Sequence, residues 1–363
     1  MFHPLRVTAI DWLTDDAAAV SFAVPEELRP RFGFTPGQHI ALRRTDGRGG
    51  ESRRTYSLCD PASPRPHTLR IGIRRVEGGE FSTYALKELA VGDTVDVLPP
   101  TGRFTLEPRP GHFAGVVGGS GITPLLSIVA SALTSEPAAR FSLIRSDRSA
   151  ASTMFLEEVA DLKDRFPDRF QLVAVVSREE QQAGLVSGRL SADRLTELLP
   201  GLLPVGGVDG WYLCGPLGLV EGATSALRAL GVPRSRVHQE IFHVDEAPEG
   251  EPRSSRISVA SHSTAEGAEA PVAATLTATL DGRGGSWPVA EGETLLETVL
   301  RHRADAPYAC KGGVCGTCRA RLVSGEVRMD RNYALEPEEL AAGYVLACQS
   351  RPVTSSVEAD FDA

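Results

Sequence analysis

Four of the six cysteines fall toward the C-terminal end, as Cys310, Cys315, Cys318 and Cys348. Their spacing constrains the fold more than any other feature of the chain. C-x4-C-x2-C followed by a distant fourth cysteine is a ligand pattern of a [2Fe–2S] cluster. Three thiolates come from one tight loop, and the fourth closes the site from elsewhere. Gly312, Gly313 and Gly316 let the loop bend and turn its amides toward the sulfurs, which helps set the potential. A structural zinc site would favour paired C-x2-C units instead.

The rest of the composition agrees with ligation rather than disulfide use. The N-terminus, MFHPLRVTAIDWLTDD, carries no basic region followed by an apolar stretch, so the cytoplasm is the expected compartment. No run of 18 or more apolar residues suggests a membrane span. The net charge of −9, with no basic run, argues against nucleic acid as a partner.

At 363 residues the chain should divide into domains. Residues 1–108 hold short β-rich runs (Gln38–Leu42, Thr55–Leu58, Leu69–Arg74, Thr94–Leu98) and one helical stretch, Ser82–Leu89, which reads as an antiparallel β-barrel. Residues 109–242 alternate strand and helix, which implies an α/β domain around a parallel sheet. Residues 243–273 are rich in Glu, Ser, Ala and Pro without periodicity and read as a flexible linker, spanning ~30 Å as a random coil. Residues 274–363 form a small α+β unit that carries the cysteines.

Two further constellations carry chemistry. Gly118-Gly119-Ser120-Gly121-Ile122-Thr123-Pro124 stands where an apolar strand meets a helix, the context a phosphate-cradling loop needs. It departs from G-x-G-x-x-G by ending in Pro, which suits a first helical turn. In the barrel region, Arg53-Arg54-Thr55-Tyr56-Ser57-Leu58 offers an Arg for a phosphate, a Tyr for an aromatic ring face and a Ser hydroxyl for a ring nitrogen. Gly78-Gly79-Glu80-Phe81-Ser82-Thr83 then turns into a helix whose free amides suit a pyrophosphate.

These segments resemble known families. PYACKGGVCGTC followed by LACQ is similar to the cluster loop of plant-type ferredoxins, which implies a β-grasp fold for 274–363. R-x-Y-S, the Gly-Gly-x-Phe-Ser turn and the Gly-Pro loop resemble the ferredoxin–NADP reductase superfamily. The resemblance implies a flavin held by Arg54, Thr55, Tyr56, Ser57, Gly79, Phe81 and Ser82. FAD is expected over FMN because the second turn would hold a second phosphate, although phthalate dioxygenase reductase shares this domain order and binds FMN. It also implies a nicotinamide nucleotide on Gly119, Gly121, Thr123 and Pro124, with Cys214-Gly215-Pro216 near the ring. The Ser177-Arg178 pair, with Arg148 and Arg145 adding charge, points to NADPH, with NADH as the alternative. Phe242 would cover the flavin face, and Ser57, Cys214 and Glu240 are the candidate hydride-transfer residues.

Across the whole chain, RRTYSLC, EGGEFSTYA, VLPPTGRF, GGSGITPLLS, TMFLEE and YLCGP resemble the reductase components of phenylacetyl-CoA epoxidases. Arg145-Ser146-Asp147-Arg148 departs from the Tyr-Gly-Asn-Arg usual there. The implied path runs from NAD(P)H through FAD and the [2Fe–2S] cluster to the oxygenase component of a multicomponent monooxygenase. Ketosteroid, alkane and aromatic-ring hydroxylase systems share the domain order. An iron–sulfur redox sensor is the competing class, but it needs no hydride-accepting site.

Overall fold

The computed structural model describes residues 1–45, 51–178, 188–243, 255–259 and 274–363. The chain divides into two compact units, residues 1–245 and 246–363. The first contains a barrel and a parallel sheet.

The barrel strands are β1 (His3–Thr14), β2 (Ala17–Ala23), β3 (His39–Thr45), β4 (Glu51–Ser57), β5 (Thr68–Arg74) and β6 (Thr94–Val97), in the order β4-β3-β6-β1-β2-β5. All adjacent pairs are antiparallel. A bridge between Leu58 and Ile71 brings the two edge strands together and closes the sheet. Alternation decides which face is inside: Leu69, Ile71 and Ile73 of β5 are fully buried. Helix α1 (Glu80–Lys87) adds Phe81 and Ala85 to the same core, with Glu80 in its first turn and Lys87 in its last complementing the helix dipole.

The sheet is wholly parallel: β7 (Gly111–Gly118), β8 (Ala139–Asp147), β9 (Phe170–Val176), β10 (Gly210–Pro216) and β11 (Val237–His243), ordered β11-β10-β7-β8-β9. Its helices are α2 (Ile122–Ser135), α3 (Leu156–Arg165), α4 (Ala192–Leu202) and α5 (Leu217–Ala229). Every residue of α2 from Ile122 to Leu133 is buried. Such a helix has no solvent face: it packs on the sheet, and Ser131 Oγ accepts a hydrogen bond from the Ala62 amide of the barrel at 2.9 Å. The chain moves outward from β7 to β8 and β9, then returns to β10 and β11 on the other side. That reversal leaves a crevice at the C-terminal ends of β7 and β10.

The second unit is a mixed sheet of β12 (Ser255–Val259), β13 (Thr275–Leu280), β14 (Arg283–Pro288), β15 (Arg319–Met329) and β18 (Ser356–Asp360), ordered β12-β15-β18-β13-β14. The short strands β16 (Tyr344–Leu346) and β17 (Ser350–Pro352) pair with β15. Only β13 and β18 run parallel. Helix α6 (Leu295–Leu300) starts from a Thr294/Glu297 capping box and packs on the sheet; α7 (Pro337–Ala341) precedes β16. This is the β-grasp arrangement expected for the cysteine-bearing unit.

One expectation is corrected. The stretch 243–273, read as a linker, includes β12, which pairs antiparallel with β15 from Ser255↔Met329 to Val259↔Gly325. SRISV alternates β-branched residues in the period of a strand, a signal masked by the polar residues around it. The remainder of that stretch after His243 lies outside the described residues.

Candidate functional site

In the second unit the loop from Cys310 to Cys318 runs into β15, and Cys348 follows β16. All four thiols are free. They form two hydrogen-bonded pairs, Cys310 with Cys315 and Cys318 with Cys348. Among the described residues no three side chains converge as a single metal ion would require. Two thiol pairs are the arrangement that a cluster of two irons, each taking two thiolates, would use.

The loop backbone is built for charge on those sulfurs. The Gly312 amide donates to Cys310 Sγ at 3.3 Å, and the Val314 and Cys315 amides do the same. Hydrogen bonding from Cys315 is the largest influence on Cys310 and holds its thiol down at about 5, against the cost of burial. Cys348 is also lowered, chiefly by its hydrogen bond from Cys318. Gly313 takes φ of +80°, and a Cβ there would lie 3.0 Å from the Arg331 carbonyl. Lys311 also adopts a positive φ of 53°, its carbonyl held by Gln349 Nε2 at 2.8 Å.

In the first unit the crevice is built largely from backbone. Gly119 to Gly121 form a single 3-10 turn between β7 and α2, and Gly119 has φ of +53°. A Cβ on Gly121 would lie 2.3 Å from the Cys214 carbonyl oxygen, and one on Gly215 would meet the Gly118 carbonyl at 2.9 Å. The glycine loop and the Cys-Gly-Pro segment thus approach backbone to backbone, which no side chain permits. Thr123 Oγ1 donates to the Ser120 carbonyl at 2.9 Å, and both Thr123 and Pro124 are buried. Only Gly119 and Ser120 of this turn keep partial exposure.

Cys214 has no exposed surface, and burial pushes its thiol up, with the Glu240 carboxylate adding to the shift. It stands on β10 beside Glu240 of β11. Phe242, two residues on, packs against the apolar core of this domain.

On the barrel, β4 alternates its arginines. Arg53 is buried, bonded to Glu51 Oε1 at 2.7 Å, and lies 4.9 Å from the Phe2 ring centroid. Arg54 faces outward, with Nη1 donating to the Arg53 carbonyl at 2.7 Å. Thr55 and Tyr56 are half-buried and Ser57 is buried. Tyr56 packs on Phe81 with centroids 5.8 Å apart, and burial raises its phenol well above the ordinary value. Gly79 is the N-cap of α1. The Ser82 hydroxyl stays inside this turn, bonded to the Val76 amide at 3.1 Å, and Phe81 lies in the core. Phe81 and Ser82 thus turn inward, and the first turn presents its amides beside the exposed Glu80 side chain.

At the ends of β8 and β9, Arg148 and Arg178 are both exposed, and the Arg178 amide bonds the Arg148 carbonyl at 2.9 Å; Ser177 is half-buried beside them. Arg145 departs from expectation. It is buried, with Nε bonded to Asp147 Oδ2 at 2.8 Å and Nη2 to the Met154 carbonyl at 3.1 Å. Its charge is spent inside the protein.

Two residues escaped the sequence reading. Arg74 of β5 reaches from the barrel to the Ser152 carbonyl and the glycine loop, within 3.1 Å of where a Cβ on Gly119 would stand. His39 of β3 lies in register with Ser57 and 3.7 Å from Glu240. A lone Arg or His within a strand carries no local signal of either position.

The chain's relatives carry the same division. Residues 4–106 match an oxidoreductase FAD-binding domain, 116–225 an oxidoreductase NAD-binding domain, and 278–353 a 2Fe-2S iron-sulfur cluster binding domain. The chain is 39% identical to a component of the 1,2-phenylacetyl-CoA epoxidase of Escherichia coli, covering 100% of this chain and 98% of that protein. It is 34% identical to the ferredoxin reductase component of 3-ketosteroid-9-alpha-monooxygenase from Rhodococcus rhodochrous, over 98% and 96% of the two chains. The structure of phthalate dioxygenase reductase shares the fold, with a TM-score of 0.60 over 99% of this chain and 98% of that one at 23% identity. Paired thiols, a backbone phosphate crevice and an R-x-Y-S strand thus occur together in one polypeptide with relatives along its full length: the chain belongs to the ferredoxin reductase family of oxidoreductases, among oxygenase reductase components that join FAD-binding, NAD-binding and 2Fe-2S domains.

Proposed function

We propose that this chain takes hydride from NADPH and delivers single electrons to the oxygenase component of a phenylacetyl-CoA epoxidase-type monooxygenase. The full-length identity to the Escherichia coli epoxidase component carries the choice of partner. FAD, when bound, accepts two electrons together and releases them singly, which is what couples a nicotinamide to a [2Fe–2S] cluster. Arg54 and the amides of the α1 turn hold the flavin's phosphates, Tyr56 packs against its ring, and Ser57 reaches a ring nitrogen. The turn at Gly119–Gly121 and the α2 N-terminus bind the nucleotide's phosphates. Arg148, Ser177 and Arg178 stand at one corner and bind the 2′-phosphate, which selects NADPH over NADH. Ser57, Cys214 and Glu240 flank the place where hydride passes. Cys310, Cys315, Cys318 and Cys348 ligate the cluster.

The test is reconstitution. Purified chain, NADPH and a phenylacetyl-CoA epoxidase oxygenase component should consume phenylacetyl-CoA in step with NADPH oxidation. A ketosteroid hydroxylase oxygenase should give little turnover. Turnover with the ketosteroid system instead would replace the proposed partner with that of the 34% identical relative. A spectrum without flavin bands or reddish iron–sulfur absorption would defeat the electron path itself.

A further inference from the structure

His39 lies beside one candidate hydride-transfer residue, Glu240, and in register with another, Ser57. It is directly opposite Ser57 across the β3–β4 pair, while Glu240 is opposite Cys214 across β10–β11. Its Nδ1 lies 3.7 Å from Glu240 Oε1, and its Nε2 3.4 Å from Thr101 Oγ1. The His39 side chain is 6% exposed, and that of Glu240 15%. This contact joins the barrel to the edge strand of the nucleotide sheet within the first unit.

The surroundings of His39 are built rather than incidental. Thr101 and His39 exchange both backbone hydrogen bonds at 2.9 Å. Gly102, at φ of +117°, comes so close that a Cβ there would lie 2.8 Å from His39 Nδ1. The ring is thus held with one nitrogen toward Thr101 and the other toward Glu240. Glu240 has need of such a partner, because its Oε2 is buried with no hydrogen bond.

We infer that His39 is the positioning residue of this site, holding the Glu240 side chain aimed beside Cys214. The inference rests on the reading of the first unit as a hydride-transfer site. A dihydronicotinamide that gives up hydride loses two electrons with the breaking C–H bond and is left as a pyridinium cation. A carboxyl group fixed beside that ring favours the change, and one swung away from it does not. His39 acts through Glu240 and needs no contact with either cofactor.

The test is anaerobic stopped-flow reduction of the FAD-loaded, cluster-loaded chain by NADPH in wild type, His39→Gln, Glu240→Gln and the double variant. Both single variants should lower the limiting rate of flavin reduction about tenfold, with the Kd for NADPH within about twofold of wild type. The double variant should be no slower than the slower single one, because the residues act as a unit. Flavin content and thermal unfolding of the first unit should stay near wild type, which separates positioning from a folding role. Should His39→Gln fail to hold flavin, His39→Asn carries the same test. An unchanged limiting rate in the His39 variant, or losses that multiply in the double variant, overturns the inference and leaves the functional reading intact. Wild-type flavin that neither NADPH nor NADH reduces overturns both.

Discussion

The two units solve the same problem, holding a redox group, with opposite materials. In the ferredoxin unit the proposed donors are side chains: three thiols lie within one loop, and the fourth follows a short strand. In the flavin and nucleotide unit the proposed contacts join backbone turns at strand ends to side chains gathered from Arg54 to Phe242. Bonds to iron demand particular atoms, so their pattern survives as spacing in the chain. Phosphates are met by amides, so what counts is how closely two backbones approach, and only glycine allows the closest contacts. Single side-chain changes should therefore be decisive in the second unit, whereas in the first the sensitive positions are glycines and buried charges.

The largest expected effect is at the cluster. Cys315→Ser removes one sulfur of the first thiol pair. NADPH-driven cytochrome c reduction should fall by more than the ~10–100-fold typical of changes around a metal ligand, while ferricyanide reduction by the flavin persists. Equal rates for the two acceptors would break the division of labour between units.

In the first unit, Arg145→Ala leaves the Asp147 carboxylate buried without its partner. That should cost about 3–5 kcal/mol of stability, read as earlier thermal release of flavin with cluster absorbance unchanged. Gly121→Ala drives a methyl toward the Cys214 carbonyl. The expected cost is about 1–3 kcal/mol, or about 2–4 °C per kcal/mol in calorimetry of a unit this size.

Arg178→Ala sharpens the contrast with Arg145, because Arg178 is exposed and its neighbour Arg148 is too. Stability should hold, while the KM for NADPH rises about tenfold and that for NADH scarcely moves. Parallel rises for both nucleotides would remove the 2′-phosphate assignment.

The smallest effect is a pH dependence. Burial, then the nearby Arg140, lowers the His112 pKa below its ordinary 6.5, with Asp209 opposing. The folded state therefore binds this proton less readily than the unfolded state. Stability from this residue is present above about pH 6.5 and declines as pH falls below it. A His112→Gln variant should flatten that slope in thermal unfolding of the first unit; an unchanged slope would assign it to other groups.

The sequence by itself determined the cysteine spacing, the glycine turn after β7, the R-x-Y-S strand and the alternation that makes the nucleotide sheet parallel. Each is a local pattern, written in a few consecutive residues whose chemistry needs that order. Tertiary structure decided what depends on partners distant in the chain. Arg145 and Arg178 look alike as strand-end arginines, yet only the first has Asp147 and the Met154 carbonyl around it. SRISV reads as part of a polar linker until β15 supplies its ladder. His39 and Glu240 stand 3.7 Å apart only because the barrel and the sheet pack on one another. Burial and charge pairing are properties of the packed neighbourhood, and spacing along a chain does not encode them.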